Sequence, residues 1–430
     1  MKNQALKNFT VFVKRKFYRF SKQKMAVEAL QQKIADAEFK IKPVEIHKLQ
    51  SDGRKRVSVF ISDIDFNHFF GGYIGMFNFA KLFHENGYKV RIIITNNNVI
   101  KLEQWRIKIL KYKGLKDIFD IFDYESIFLR NKKYEFFENE ELVATSWWTA
   151  NVVESIRSQL NKTKFIYLIQ DFEPLFYPSG AYYSLALASY SFPHSAVFST
   201  KFILDYFREK SLGVFSRPNE EQEAIYFENA VVISKPSNRM KKRQTKKLLF
   251  YFRPEDHAAR NMFEIGFLAL KKAIMEGAFN EEKWEFWGIG SLLSDKTKIR
   301  ITANHDLRII HKLDLEEYKE LLPEFDVGLS LMLSPHPSLV PFEMCSAGLN
   351  VVTNSYENKT EQALHDISKN FYVAAPTVDS IKDSISKAVK NVEQYEDRIA
   401  NTKIKWPASW EKTFNLKFKE KLFSLLEDRQ

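Results

Sequence analysis

The sequence runs to 430 residues, too long for one ordinary core and suited to two domains of roughly 150–200 residues each. Its 45% hydrophobic and 28% charged residues exclude a disordered chain, and the single cysteine, Cys345, excludes a disulfide framework or a thiolate metal site. The net charge of +11 suits nucleic acid, an anionic membrane surface or phosphorylated ligands, but no nucleic-acid signature accompanies it and no nucleic-acid partner is expected.

The basic excess begins at the N-terminus, where residues 1–27 carry eight Lys/Arg and no acid. Phe9, Phe12, Val13, Phe17 and Phe20 recur at helical spacing among those cations. The pattern suits a helix lying in an anionic membrane interface, or one packed on the body with a solvated basic face. A polar helix over Met25–Phe39 follows, and residues 1–50 read as a basic helical extension. No run approaches a membrane span and no secretory signal is visible, so a cytoplasmic protein is expected, peripheral at the membrane if the first helix binds there.

Between 51 and 235 the rhythm is strand, helix, strand, which predicts a parallel sheet covered on both faces. Strands are expected at Val57–Ser62, Lys89–Thr95, Leu142–Ser146, Phe165–Gln170 and Ala196–Ser199. Gly71-Gly72 opens a helix whose apolar face begins at Tyr73, where missing side chains let backbone N–H groups approach a phosphate or sugar. Asp171 and Glu173 end a strand, where a carboxylate suits ligand hydroxyls, a positive charge developing in a reaction, or a plain helix cap. Tyr177 belongs with Trp147, Trp148, Phe176 and Tyr182 as a candidate sugar platform, with core packing as the alternative use of most of them. Asp63-Ile64-Asp65 has the look of a metal motif but sits in a first-strand loop, and no metal or other cofactor is expected.

A polar, basic linker near 232–246 precedes a second alternation over 236–405, with strands at Leu248–Phe252, Trp284–Trp287, Leu307–His311, Val327–Leu333, Val351–Thr353 and Phe371–Ala374. Ser334–Gly348 leaves a strand, opens a helix and closes before the next strand, where an open α/β sheet binds ligands. The helix start offers N–H groups to phosphate, and a carboxylate at Glu343 is suited to accept both hydroxyls of a ribose. Arg253 and Arg260 follow a strand end, as cations that neutralise a diphosphate would. Residues 406–430 end in an amphipathic helix.

Phe342-Glu343-Met344-Cys345-Ser346-Ala347-Gly348-Leu349-Asn350-Val351-Val352 resembles the signature of the retaining glycosyltransferases of family 4. The resemblance covers about residues 55–425 and implies the GT-B fold, an α/β architecture of two Rossmann-like domains facing a cleft. It places Glu343 on the donor ribose and makes Arg253 and Arg260 leaving-group clamps. It adds Lys312, His336, Ser338, Leu339 and the strand-ending Gly288 to the donor side, and Gly71, Gly72, Tyr73, Asp171, Glu173 and Tyr177 to the acceptor side. The family's first signature glutamate falls on Pro335, so that contact is missing. That departure leaves a non-catalytic glycan-binding subunit as an alternative, and nucleotide-sugar epimerases share the architecture.

The run Tyr167–Pro178, the Gly-Gly-Tyr loop and Pro335–Leu339 look more narrowly like the WsaF-type rhamnosyltransferases of bacterial surface-layer glycans. That implies dTDP-β-L-rhamnose as donor and a growing, lipid-linked rhamnan as acceptor. It also implies that Trp406–Glu411 forms a helix crossing back to the N-terminal domain.

Overall fold

Runs such as Arg56–Ile61 (RVSVFI) and Phe165–Ile169 (FIYLI) have no polar face to leave in water, and both lie almost wholly buried inside a sheet. The computed structural model describes residues 25–67, 69, 71–218, 221–238, 240–281 and 283–427, so the expected membrane-surface segment Phe9–Lys24 lies outside the described residues. In chain order the first strands are β1 (Ile46–Leu49), β2 (Arg56–Ile61), β3 (Lys89–Ile94), β4 (Asp123–Ser126), β5 (Tyr134–Phe137), β6 (Glu141–Ala144), β7 (Phe165–Ile169), β8 (His194–Phe198) and β9 (Ala224–Tyr226). Seven of them form one sheet in the order β4-β3-β2-β6-β7-β8-β9, parallel throughout, while β1 and β5 pair separately.

The second half repeats the plan with β10 (Thr245–Tyr251), β11 (Lys283–Ile289), β12 (Lys298–Thr302), β13 (His305–Ile309), β14 (Val327–Ser330), β15 (Asn350–Asn354) and β16 (Phe371–Ala374). Their order is β12-β13-β11-β10-β14-β15-β16, and only the β12–β13 pair is antiparallel. Strand order reverses between β2 and β6 in one sheet and between β10 and β14 in the other. The loops leaving those strands therefore diverge and open a crevice in each domain, the place where such sheets take ligands.

Much of the phenylalanine excess goes to cores. Phe69, Phe77, Phe79, Phe83 and Phe119 are buried in the N-terminal domain together with Phe418, Leu422, Leu425 and Leu426 of the last helix, Leu416–Glu427. The last described helix thus packs back into the N-terminal domain. Its return path is not the helix expected over Trp406–Glu411: only Trp410–Thr413 makes a helical turn. Pro407 disfavours helical geometry at Trp406, and the segment instead pairs with the outgoing linker. Val231 N donates to Pro407 O (3.1 Å) and Trp406 Nε1 to Asn229 O (2.8 Å).

Candidate functional site

A cleft of ≈ 1260 Å³ lies between the two switch points and is lined by both domains. Its C-terminal wall carries Arg253, Arg260, Lys312, His336, Ser338, Leu339 and Glu343. Its N-terminal wall carries Gly71, Gly72, Tyr73, Asp171 and Glu173. Residues separated by up to 272 positions in the sequence are therefore brought to one cavity, because each follows the carboxyl end of a parallel strand near a switch point.

Glu343 sits in the short helix Val340–Ser346 and is buried. Its carboxylate accepts the backbone N–H of Val232 at 3.2 Å, so the interdomain linker itself orients the side chain. Burial pushes its pKa up to about 7, while that N–H and the Tyr318 hydroxyl favour the charged form. Glu343 lines the cleft, and in its ionised form a carboxylate there is a strong acceptor for ligand hydroxyls.

Arg253 is fixed rather than loose. Its Nε lies 3.1 Å from Glu255 Oε2, its Nη2 lies 3.0 Å from His257 Nε2, and Glu255 is in turn held by the N–H of Leu292 at 2.8 Å. Arg260 is held by the other domain: its guanidinium lies 4.2 Å over the Phe176 ring and its Nε is 3.4 Å from Asp171 Oδ2.

Asp171 lines the cleft, where the sequence offers it as an acceptor-facing or catalytic carboxylate or a helix cap, and its oxygens have protein partners: Oδ1 accepts the hydroxyl of Ser334 and the N–H of Phe172 (2.8 Å), while Oδ2 faces Arg260. Asp171 belongs to the N-terminal domain, whereas Ser334 and Arg260 belong to the C-terminal one, so its carboxylate joins the domains at the cleft floor. His336 completes this floor, with its N–H donating to Ser334 Oγ (3.1 Å) and its Nδ1 accepting from Ser338 N (2.9 Å). Burial pulls His336 down to about 4 against the attraction of Asp171, which leaves a neutral ring protonated on Nε2.

Glu173 is half-buried, accepts the N–H of Trp147 at 2.5 Å and is pushed up to about 8 by desolvation. It thus satisfies an N–H in the first turn of the helix Trp147–Gln159, as the helix-cap reading expects, and it also lines the cleft. Tyr177 accepts from Trp147 Nε1 (3.1 Å), stacks on Tyr182 with ring centroids 5.4 Å apart, and stands behind the cleft wall. Tyr73 stacks on Phe69 (5.4 Å) at the mouth of the Gly71–Glu85 helix.

Two of the donor-side residues have structural partners. Lys312 gives its ammonium to the carbonyls of Phe66 and Asn67, both at 2.7 Å, and so bridges the domains at the cleft rim. Gly288 lies inside β11, where a Cβ would come within 2.4 Å of the Phe252 ring; its glycine is a packing requirement, and Gly290 is the residue that reaches the cleft. Asp63 and Asp65 accept N–H groups of their own loop, from Ile64 (2.7 Å) and Asn67 (2.8 Å).

Sequence reasoning missed Ser334 and Lys359. Lys359 is fully buried, donates to Met332 O at 2.7 Å, and is pulled down to about 7 by burial despite the attraction of Asp171. It stands in a polar loop sequence, Tyr356-Glu357-Asn358-Lys359-Thr360, that carries no sign of burial.

With this geometry in place, comparison with known proteins is informative. The N-terminal domain of WsaF matches residues 56–201, and the C-terminal domain of WsaF matches residues 246–386, together well over half of the chain. The chain carries both WsaF domains. Asp171, Gly71 and Gly72 fall in the WsaF N-terminal domain, while Arg253, Arg260 and Glu343 fall in the WsaF C-terminal domain. An O-antigen biosynthesis protein, RfbC of Myxococcus xanthus, is 29% identical over 259 residues, 58% of this chain. The match spans only 18% of the length of that relative. Among solved structures, Anabaena HepE in complex with UDP-glucose superposes with a TM-score of 0.57 at 10% identity, covering 87% of this chain and 99% of its own. TarM gives 0.57 at 12% identity over 86% and 98% of the two chains. Sucrose-phosphate synthase of Thermosynechococcus elongatus gives 0.54 at 9% identity over 87% and 99%. At such identities the likeness establishes the architecture alone, which is GT-B: two Rossmann-like domains around a cleft.

Proposed function

We propose that the chain is a retaining, metal-independent glycosyltransferase of bacterial glycan assembly, using a nucleotide sugar held by its C-terminal domain. One observation carries the reading: Glu343, Arg253 and Arg260 line the same wall of the cleft, beside the strand-order reversal. A buried carboxylate is suited to ribose hydroxyls, and two fixed guanidinium groups are suited to a diphosphate. The WsaF domains, the O-antigen relative and the nucleotide-sugar complex of HepE support the same reading.

The donor is dTDP-β-L-rhamnose and the acceptor a lipid-linked rhamnan. A 6-deoxy sugar presents a methyl group where an ordinary hexose presents a hydroxymethyl group, and Leu339 offers apolar surface in the cleft to receive it. In the reaction the acceptor hydroxyl attacks the anomeric carbon on the leaving-group face. The bond from that carbon to the diphosphate oxygen breaks as the new glycosidic bond forms, and the acceptor proton passes to the departing phosphate oxygen. Arg253 and Arg260 stabilise the charge gained by the leaving group. The cationic segment upstream of Met25 holds the enzyme at an anionic membrane surface, where a lipid-linked acceptor resides.

A donor screen with a rhamnan oligosaccharide, followed by NMR of the product anomer, tests this. Transfer from dTDP-rhamnose with the donor's configuration kept is expected. Inversion overturns the mechanism, preference for another donor overturns the specificity, and no transfer from any nucleotide sugar overturns the activity.

A further inference from the structure

The helix at 25–41 projects from the body. Residues 25–36 are all exposed. Contact with the N-terminal domain resumes near Phe39, whose ring lies 5.2 Å from Phe128 and whose carbonyl, with that of Lys42, accepts from Arg130 (2.5 and 2.7 Å). Most helical stability in proteins comes from packing an amphipathic face, and residues 25–36 pack on nothing among the described residues.

This helix has such a face. Val27, Leu30, Ile34, Ala37 and Ile41 alternate at spacings of three and four, and Val27, Leu30, Ile34 and Ile41 are 50, 57, 58 and 40% exposed. In heptad register, β-branched Val27, Ile34 and Ile41 take the first core position, and Leu30 and Ala37 take the second. That combination favours two parallel strands. The flanking charges choose the same arrangement. Lys33 and Glu38 are exposed and five residues apart on the two sides of the stripe, so a parallel, in-register pair brings Lys33 beside Glu38 of the partner subunit. An antiparallel pair would set lysine against lysine on one flank and glutamate among uncharged neighbours on the other.

We propose that the helix at 25–41 pairs in parallel with the same helix of a second copy of this chain. The proposal does not depend on the catalytic reading. Two heptads make a modest contact, so the dimer dissociates on dilution.

The test uses the full chain in sedimentation velocity over a wide concentration range, with Leu30→Glu/Ile34→Glu and a charge swap, Lys33→Glu/Glu38→Lys. The wild type is expected to move from monomer toward twice that mass as concentration rises. The double glutamate variant should stay monomeric, and the swap should restore pairing that Lys33→Glu alone weakens. Under mild oxidation Leu30→Cys should form an interchain disulfide while Gln32→Cys, on the outward face, does not; the native Cys345 is fully buried and does not report. A wild type that is monomeric throughout, a dimer that survives the glutamate pair, or equal cross-linking at both cysteine positions would overturn the proposal. So would a monomer that floats with phosphatidylglycerol vesicles and loses flotation in the glutamate variant, since the stripe would then serve a membrane.

Discussion

Asp171 Oδ2 lies 3.4 Å from Arg260 Nε, and this pair joins the two domains across the floor of the cleft. The same carboxylate accepts the Ser334 hydroxyl, so one N-terminal side chain holds two C-terminal groups. Arg260, the cation proposed to meet the diphosphate, is therefore positioned by the opposite domain, so on that proposal ligand binding is coupled to the relation between domains.

Replacing Asp171 with Ala should loosen that relation. Hydrogen bonds to charged groups contribute about 1.5–3 kcal/mol, so a lower melting temperature and a larger radius of gyration by small-angle X-ray scattering are expected. An unchanged radius of gyration would show that other contacts, such as Lys312 with Phe66 and Asn67, suffice to hold the domains.

Arg253→Ala and Arg260→Ala should each weaken nucleoside diphosphate binding by roughly 10–100-fold, the equivalent of one lost charge-assisted interaction. Binding of the corresponding nucleoside without phosphates should hardly change. Equal losses for both ligands, measured by calorimetry, would place the arginines elsewhere than on the diphosphate.

Glu343 titrates near neutrality because burial pushes it up to about 7. Ribose hydroxyls donate best to the ionised form, so nucleotide affinity should rise between pH 6 and 8 more steeply in the wild type than in Glu343→Gln. The comparison cancels the ligand's own phosphate titration, and parallel curves would remove Glu343 from the ribose.

Glu173 and Glu228 are both pushed up to about 8 by burial. Each holds its proton more tightly in the folded than in the unfolded state. The stability they contribute is present below the ordinary glutamate value and is lost as pH rises toward 8. Glu173→Gln keeps an acceptor for the Trp147 N–H, so its melting temperature should fall less than that of the wild type over this range. Glu173→Ala should cost about 1–3 kcal/mol by leaving that buried N–H unpaired.

Gly288→Ala should destabilise the fold, because the new methyl meets Phe252 at 2.4 Å and overpacking costs typically about 1–3 kcal/mol. Nucleotide affinity of the folded protein should remain. A selective loss of affinity with stability intact would return Gly288 to the donor site.

The sequence made the two sheets legible because buried parallel strands are apolar runs between helices, as at Lys89–Ile94 and Asn350–Asn354. It made the cleft position of Glu343, Arg253 and Arg260 legible because a place after a strand end is local information. It could not reveal what Asp171 faces, since Ser334 and Arg260 lie 163 and 89 positions away and meet it only through domain apposition. Lys359 was invisible for the same reason: burial of a lysine is decided by tertiary packing, not by its neighbours in sequence. Gly288 shows the converse error, a glycine read as a ligand contact where an aromatic ring requires the space.

The central claim is that the C-terminal wall of the cleft holds a nucleotide through Glu343 and Arg253. Isothermal calorimetry with dTDP and UDP, on the wild type and on Glu343→Ala and Arg253→Ala, tests it most directly. Saturable binding of one nucleotide per chain, greatly weakened in both variants, is the predicted result. No binding by the folded wild type, or binding that both variants leave unchanged, would contradict it.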